Sequence, residues 1–269
     1  MNERLRYELR GLAYWAECAN PLRSTVTARQ LPLDLRIEGY KRDAVGRGLY
    51  RRGVYEPALT SFLLNRFANS QGGNFLDIGA NIGYFSCLLG KLAGTAGKVL
   101  AIEAEPNNFR LLERNLRNNG LPNVTPLNFA VGSADGVAKM GIYKAANRGR
   151  HSLVDLESCR EFREVPVRTL DHLTAGMGVS QWHFAKMDVE GYEPFVLAGA
   201  QKTLARMDLL AMEYAPSYWK KAGVEAEPVL RTLIEQFRRV YRLLGAEPIP
   251  FTIEECVASA ITLDLLFEK

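Results

Sequence analysis

From residue 75 onward the chain alternates short apolar runs with amphipathic stretches, and this alternation constrains the fold more than any other feature. FLDIG, KVLAIEA, VTPLNFAVG, WHFAKMDVEG and DLLAMEYAP read as strands. IGYFSCLLGKLA, EPNNFRLLERNLRNNG and EPFVLAGAQKTLARM between them read as helices, the first two closed at Gly94 and Gly120. GVAKMGIYKA and REVPVRTL read as an antiparallel excursion, VEAEPVLRTLIEQFRRV holds a further helix, and YRLLG and ITLDLLFEK are closing strands. This order calls for a mostly parallel sheet with helices on both faces, an α/β fold. Upstream, VYEPALTSFLLNRFAN reads as a helix with Pro57 in its first turn. The expected organisation is an N-terminal helical extension over residues 1–70 and a sheet domain over 71–269.

Composition narrows the class. With 269 residues, 47% hydrophobic and 24% charged, the core is large enough to need no disulfide or metal staple. Cys18, Cys87, Cys159 and Cys256 lie far apart with no C-x-x-C pair, which removes zinc ribbons and thioredoxin chemistry and fits reduced thiols in a cytoplasm. No signal-peptide pattern opens the chain, and no run approaches the roughly 18 apolar residues of a membrane span. The net charge of +4 is a mild basic bias concentrated before residue 53, read as a solvated basic face or as attraction to an anionic substrate or membrane surface. Residues 2–17 form an expected amphipathic helix with Leu5, Leu9, Leu12 and Trp15 or Ala16 on one side. Docking of that side on the main domain is expected, with peripheral membrane contact as the alternative.

The stretch NFLDIGANIGYF raises the question of ligand. A strand ends in Asp77, Gly79 begins a turn, and Gly83 leads into a helix. Glycine accepts positive φ and allows close backbone approach, and Asn81 tolerates left-handed backbone better than most residues. The pattern D-x-G-x-N-x-G is neither a dinucleotide fingerprint nor a P-loop. An acid at this strand end repels a pyrophosphate and suits a ligand with an amino or sulfonium cation. Glu103 closes the next strand, matching the spacing of roughly 20 residues for a carboxylate that binds ribose hydroxyls. Asp77, Gly79, Asn81, Gly83 and Glu103 together describe a site for S-adenosylmethionine.

Several blocks resemble one family in order: FLDIGANIGYFS, AIEAEPNNFRLLERNLRNNG, VPVRTLDHL, FAKMDVEGYEPFVLAGAQKTL and LLAMEYAP, with GVYEP as a similar lead-in. They look like the FkbM family of S-adenosylmethionine-dependent methyltransferases, over about residues 50–215. The resemblance implies a Rossmann-like, seven-stranded methyltransferase sheet and methyl transfer to a hydroxyl, with sugars, glycolipids and polyketide-type natural products among the family's acceptors.

Methyl transfer to an alcohol needs alignment of donor and acceptor and a group that takes up the hydroxyl proton. Asp188 and Glu190 close one strand and Glu213 the next, so they are expected to meet in the ligand crevice. Asp188 and Glu213, with Glu190 or His151, are the expected catalytic groups. Three carboxylates either hold a divalent cation or raise one another's pKa. The arrangement is similar in outline to catechol O-methyltransferases, where acids at these strand ends hold magnesium; magnesium on Asp188 and Glu213 is one reading, and carboxylates acting with no obligatory metal the other. Tyr192 and Tyr214 are expected to line an acceptor pocket, and His172 and His183 to be structural. Lys186, two residues before Asp188, is expected on the same face. Residues 1–45 are expected to cover the cofactor or form a homodimer contact.

The overall expectation is a cytoplasmic O-methyltransferase acting on a small molecule or carbohydrate. The alternatives are a methyltransferase acting on a nitrogen of a macromolecule and a non-catalytic cofactor-binding module. Nucleic acid is disfavoured, because DVEG stands where amino-group methyltransferases carry DPPY and no aromatic-basic RNA-binding domain is attached.

Overall fold

The computed structural model describes residues 3–69, 72–143, 151–154, 156–159 and 161–269. The N-terminal segment holds α1 (Glu3–Ala19), β1 (Thr25–Ala28), β2 (Ile37–Tyr40), α2 (Ala44–Arg52) and α3 (Pro57–Phe67). Then come β3 (Phe75–Ile78), α4 (Tyr84–Ala93), β4 (Val99–Ile102), α5 (Pro106–Asn118), β5 (Val124–Leu127), β6 (Ala130–Val131), β7 (Gly136–Ile142), β8 (Glu161–Arg168) and α6 (Leu170–Ala175). The C-terminal part holds β9 (Phe184–Met187), α7 (Glu193–Ala198), α8 (Gln201–Leu204), β10 (Leu209–Tyr214), α9 (Pro216–Lys221), α10 (Ala226–Phe237), β11 (Arg239–Arg242), β12 (Ile249–Pro250), α11 (Ile253–Ala258) and β13 (Leu263–Glu268).

The main sheet runs β12-β11-β13-β10-β9-β3-β4-β5. Strands β10, β9, β3, β4 and β5 are parallel, and β13 returns antiparallel between β10 and β11. This is the expected mostly parallel sheet of Rossmann-like methyltransferases, with the two-residue β12 added at its edge. Alternate residues feed two cores, as the period of a strand demands. Phe75, Val99, Phe184, Leu209 and Leu266 face one core. Leu76, Leu100, Ala185, Leu210 and Leu265 face the other.

The N-terminal segment covers the first of these faces. Leu35, Ile37, Val45, Leu49 and Leu63 share that core with Leu88 and Leu112. Asn115 of α5 ties it down: its side chain donates to the Glu38 and Ile82 carbonyls and accepts from the Glu38 N–H at 2.8 Å. Helix α1 docks in the opposite sense to the expected one. Gly11 and Tyr14 are its buried side, and the Tyr14 hydroxyl donates to the Lys41 carbonyl. Leu5, Leu9, Leu12 and Trp15 are exposed. Among the described residues no helix is long and apolar enough to cross a membrane.

Two expected elements are broken by packing. VTPLNFAVG splits into β5 in the main sheet and β6, which pairs with β8 in a separate three-stranded sheet. EPFVLAGAQKTLARM breaks into α7 and α8 at Gly199, where an added Cβ would lie 2.1 Å from the Gly132 carbonyl oxygen.

Candidate active site

The charged groups of the sheet converge on one face at the carboxyl ends of the parallel strands. Asp77 and Lys186 are register partners on β3 and β9, and Glu213 is opposite Asp264 on β10 and β13. Alternation puts all four on the side covered by the N-terminal segment, and Glu103, two residues beyond Ala101, continues the row.

Two cavities open along this row. The first, of about 320 Å³, has Asp77, Gly79, Asn81 and Glu103 in its wall, with His151 and Tyr192. Ala44, Val45, Arg52 and Tyr55 of the N-terminal segment close it. The second, of about 590 Å³, is lined by Glu56, Glu213, Asp264, Met212 and Leu243, among others. Tyr55, Lys186, Asp188 and Glu190 line both and form the shared wall.

In the first cavity, Asp77 is 1% exposed; its Oδ2 accepts from the Ser86 hydroxyl at 2.5 Å, and its Oδ1 has no partner. Burial raises its pKa, opposed by Lys186 and Ser86. A buried carboxylate oxygen without a partner fits a cationic amino group. Glu103 accepts from the Asn81 N–H at 2.7 Å and the Glu105 N–H at 2.8 Å. Burial pushes it up to about 7 against the pull of those two donors. Asn81 has φ +50, the left-handed backbone expected of the turn. Gly79 has φ +83, and its closest neighbour is protein: an added Cβ would sit 1.8 Å from the Asp188 carbonyl oxygen. Gly83 does not line the cavity. It sits at the N-terminus of α4, where an added Cβ would lie 2.5 Å from Leu112 Cδ1, so its smallness serves helix packing.

At the shared wall, Lys186 Nζ is 2.8 Å from Asp188 Oδ2 and 3.7 Å from Glu56 Oε1. Burial disfavours the ammonium, but Asp188, Glu56 and Asp77 outweigh it and hold its pKa well above the usual lysine range. Burial, then the Asp188 and Glu190 charges, pushes Glu213 up to about 9. Glu56 rises to about 7, chiefly through burial.

The expected magnesium site does not fit this donor set. The cation beside Asp188 is an ammonium of the protein itself, that of Lys186, which Glu56 shares. No group of three or more His, Cys, Asp or Glu side chains is arranged to hold a metal among the described residues. His151 lines only the first cavity, where its Nδ1 accepts from the Tyr143 N–H at 3.1 Å. Residues 144–150, which precede it in the chain, lie outside the described residues. Tyr192 likewise belongs to the first cavity and stacks on Phe195 with centroids 4.5 Å apart. Tyr214 lines neither cavity. It follows Glu213, so it points to the opposite face, where it is 1% exposed against Trp219. His172 pairs with Asp135, and His183 accepts from the Asn74 N–H, both away from the cavities.

The carboxylate at the helix start is Glu193, which the sequence reading passed over. Fully buried, it accepts from Trp219 Nε1 at 3.0 Å and from the Val189 and Gly191 N–H groups at 3.1 Å, clamping the DVEG turn. Burial pushes it up to about 7. A folded pKa above the unfolded value favours the folded state below about 4.5, and that contribution is lost as pH rises through about 7. The loss is roughly 3 kcal/mol. Glu193→Gln keeps the shape without the titration, so denaturant unfolding at pH 5 and 7.5 is expected to show a shallower pH dependence in this variant. An unchanged slope would contradict the assignment.

Comparison with known proteins places the chain. The methyltransferase FkbM domain matches residues 77–247. Hexuronic acid methyltransferase AglP of Haloferax volcanii is 29% identical over 160 residues, 59% of this chain and 60% of that protein. A protein-L-isoaspartate O-methyltransferase of Methanococcoides burtonii is 30% identical over 95 residues, 35% of this chain and 46% of that protein. The chain thus spans less than two thirds of either relative. The crystal structure of methyltransferase FkbM from Methylobacillus flagellatus KT aligns at TM-score 0.49 and 17% identity, over 81% of this chain and 49% of that one.

Proposed function

The chain belongs to the FkbM methyltransferase family, and we propose that it moves the methyl group of S-adenosylmethionine to a hydroxyl of a small-molecule or carbohydrate acceptor. The observation that carries this reading is the pair of cavities that share Asp188 and Glu190 in their walls. The relative named as a hexuronic acid methyltransferase supports a carbohydrate acceptor.

The donor supplies a methyl already activated by its sulfonium. Asp77 would hold its amino group and Glu103 its ribose hydroxyls. The acceptor enters the second cavity. Asp188, fixed by Lys186, orients the acceptor hydroxyl at the shared wall and accepts its proton. Glu213, protonated at neutral pH, donates a hydrogen bond there. The apolar part of the wall, Leu59, Met212 and Leu243 among it, limits the water that competes with the acceptor.

Calorimetry tests the donor half. Glu103→Ala is expected to weaken S-adenosylmethionine binding by roughly 1.5–3 kcal/mol, the range for hydrogen bonds to charged groups. Ribose hydroxyls donate to the ionised carboxylate, so wild-type affinity should rise with pH through about 7, and Glu103→Gln should flatten that rise. Unchanged affinity in both variants would refute the assignment.

A further inference from the structure

The second cavity has an unbalanced wall. Among its described residues it carries five carboxyl groups, Glu56, Asp188, Glu190, Glu213 and Asp264, and one cation, Lys186, already held by Asp188 and Glu56. Arg242 attracts Asp264 from outside the lining. The sheet register sets the Glu213 and Asp264 carboxyl groups directly opposite each other on one face, where two ionised carboxylates would destabilise the strand pair. Aliphatic side chains would satisfy the same register, since Leu209 and Leu266 hold this face of β10 and β13 nearer the core. The cavity is large enough for a sugar-sized ligand and shares a four-residue wall with the donor cavity.

We propose that this cavity selects its acceptor by charge: it takes a hydroxylated acceptor bearing a primary amine, the chemistry of an amino sugar, and refuses one bearing a carboxylate. The proposal rests on the reading of this cavity as the acceptor site. An ammonium between Glu213 and Asp264 pairs with the Asp264 carboxylate and donates to the Glu213 carboxyl, while a carboxylate adds a sixth acidic group to a wall whose one cation is taken.

The test uses the full chain saturated with S-adenosylhomocysteine, in EDTA at neutral pH. Glucosamine, glucose and glucuronate are titrated separately, and binding is read by ligand-observed NMR. Glucosamine is expected to bind at least about tenfold more tightly than glucose, and glucuronate more weakly than glucose. Asp264→Asn should shrink the glucosamine advantage several-fold and leave S-adenosylhomocysteine affinity unchanged. Equal binding of the three sugars, preference for glucuronate, no glucosamine binding, or an advantage untouched by Asp264→Asn overturns the proposal. Failure of S-adenosylhomocysteine to bind overturns the methyl-transfer reading, and this proposal with it.

Discussion

Gly79→Ala is expected to cost roughly 2–5 kcal/mol of folding stability and to abolish measurable binding of S-adenosylmethionine. Two effects add. A residue with a Cβ is disfavoured in the left-handed region by roughly 1–2 kcal/mol, and Gly79 has φ +83. The new methyl would also stand 1.8 Å from the Asp188 carbonyl oxygen, a contact that only a backbone shift relieves. Forcing atoms into a packed site typically adds 1–3 kcal/mol. The shift separates the ends of β3 and β9, where Asp77, Lys186 and Asp188 meet, so binding is lost together with stability. Gly120→Ala isolates the first effect, since Gly120 has φ +62 and nothing within 4 Å of an added Cβ. Denaturant unfolding should show Gly79→Ala as the more destabilised by about 1–3 kcal/mol. Equal losses would mean that the close approach to Asp188 contributes nothing.

This contact shows how far the sequence could be read. The acid–glycine turn is legible because its demands are local: a strand end, a left-handed backbone and a helix start follow one another within a few residues. What the glycine avoids is not legible, since its neighbour Asp188 is brought in by strand pairing. Asp188, Glu190 and Glu213 could be placed in one crevice because strand ends in a parallel sheet share an edge. Asp264 could not, because its place beside Glu213 depends on β13 inserting antiparallel next to β10, a choice made by the whole sheet. Glu56 escaped for a similar reason: it reaches Lys186 from a segment that reads only as a helix start. Tyr214 was misjudged through neglect of alternation, which sends adjacent residues to opposite faces. The break at Gly199 was equally invisible, since the carbonyl it accommodates belongs to Gly132, in the turn after β6. The face of α1 that docks was misread because the Tyr14 hydroxyl finds an acceptor in the Lys41 carbonyl, while Leu12 and Trp15 stay exposed.

Asp188→Asn is expected to lower turnover by about 100-fold or more while S-adenosylmethionine affinity stays near wild type, since loss of a general base typically costs 10²–10⁴. Asparagine keeps the volume and a hydrogen bond to Lys186 but cannot take up the acceptor's proton. Its place on the wall common to both cavities, shared with Glu190, lets Asp188 face the acceptor hydroxyl and the donor's methyl together, and Lys186 fixes its carboxylate there. Glu213→Gln provides the contrast. Glu213 is pushed up to about 9, so at neutral pH it is already a neutral donor, and the amide reproduces that state. Its turnover at neutral pH should therefore fall far less than that of Asp188→Asn. Because the cation at this carboxylate is Lys186, EDTA is expected to leave the wild-type rate unchanged. Steady-state rates of the three proteins on an acceptor that supports turnover decide the matter. A normal rate for Asp188→Asn would remove it from the proton transfer. A loss for Glu213→Gln as large as that for Asp188→Asn would move the base one strand along the sheet.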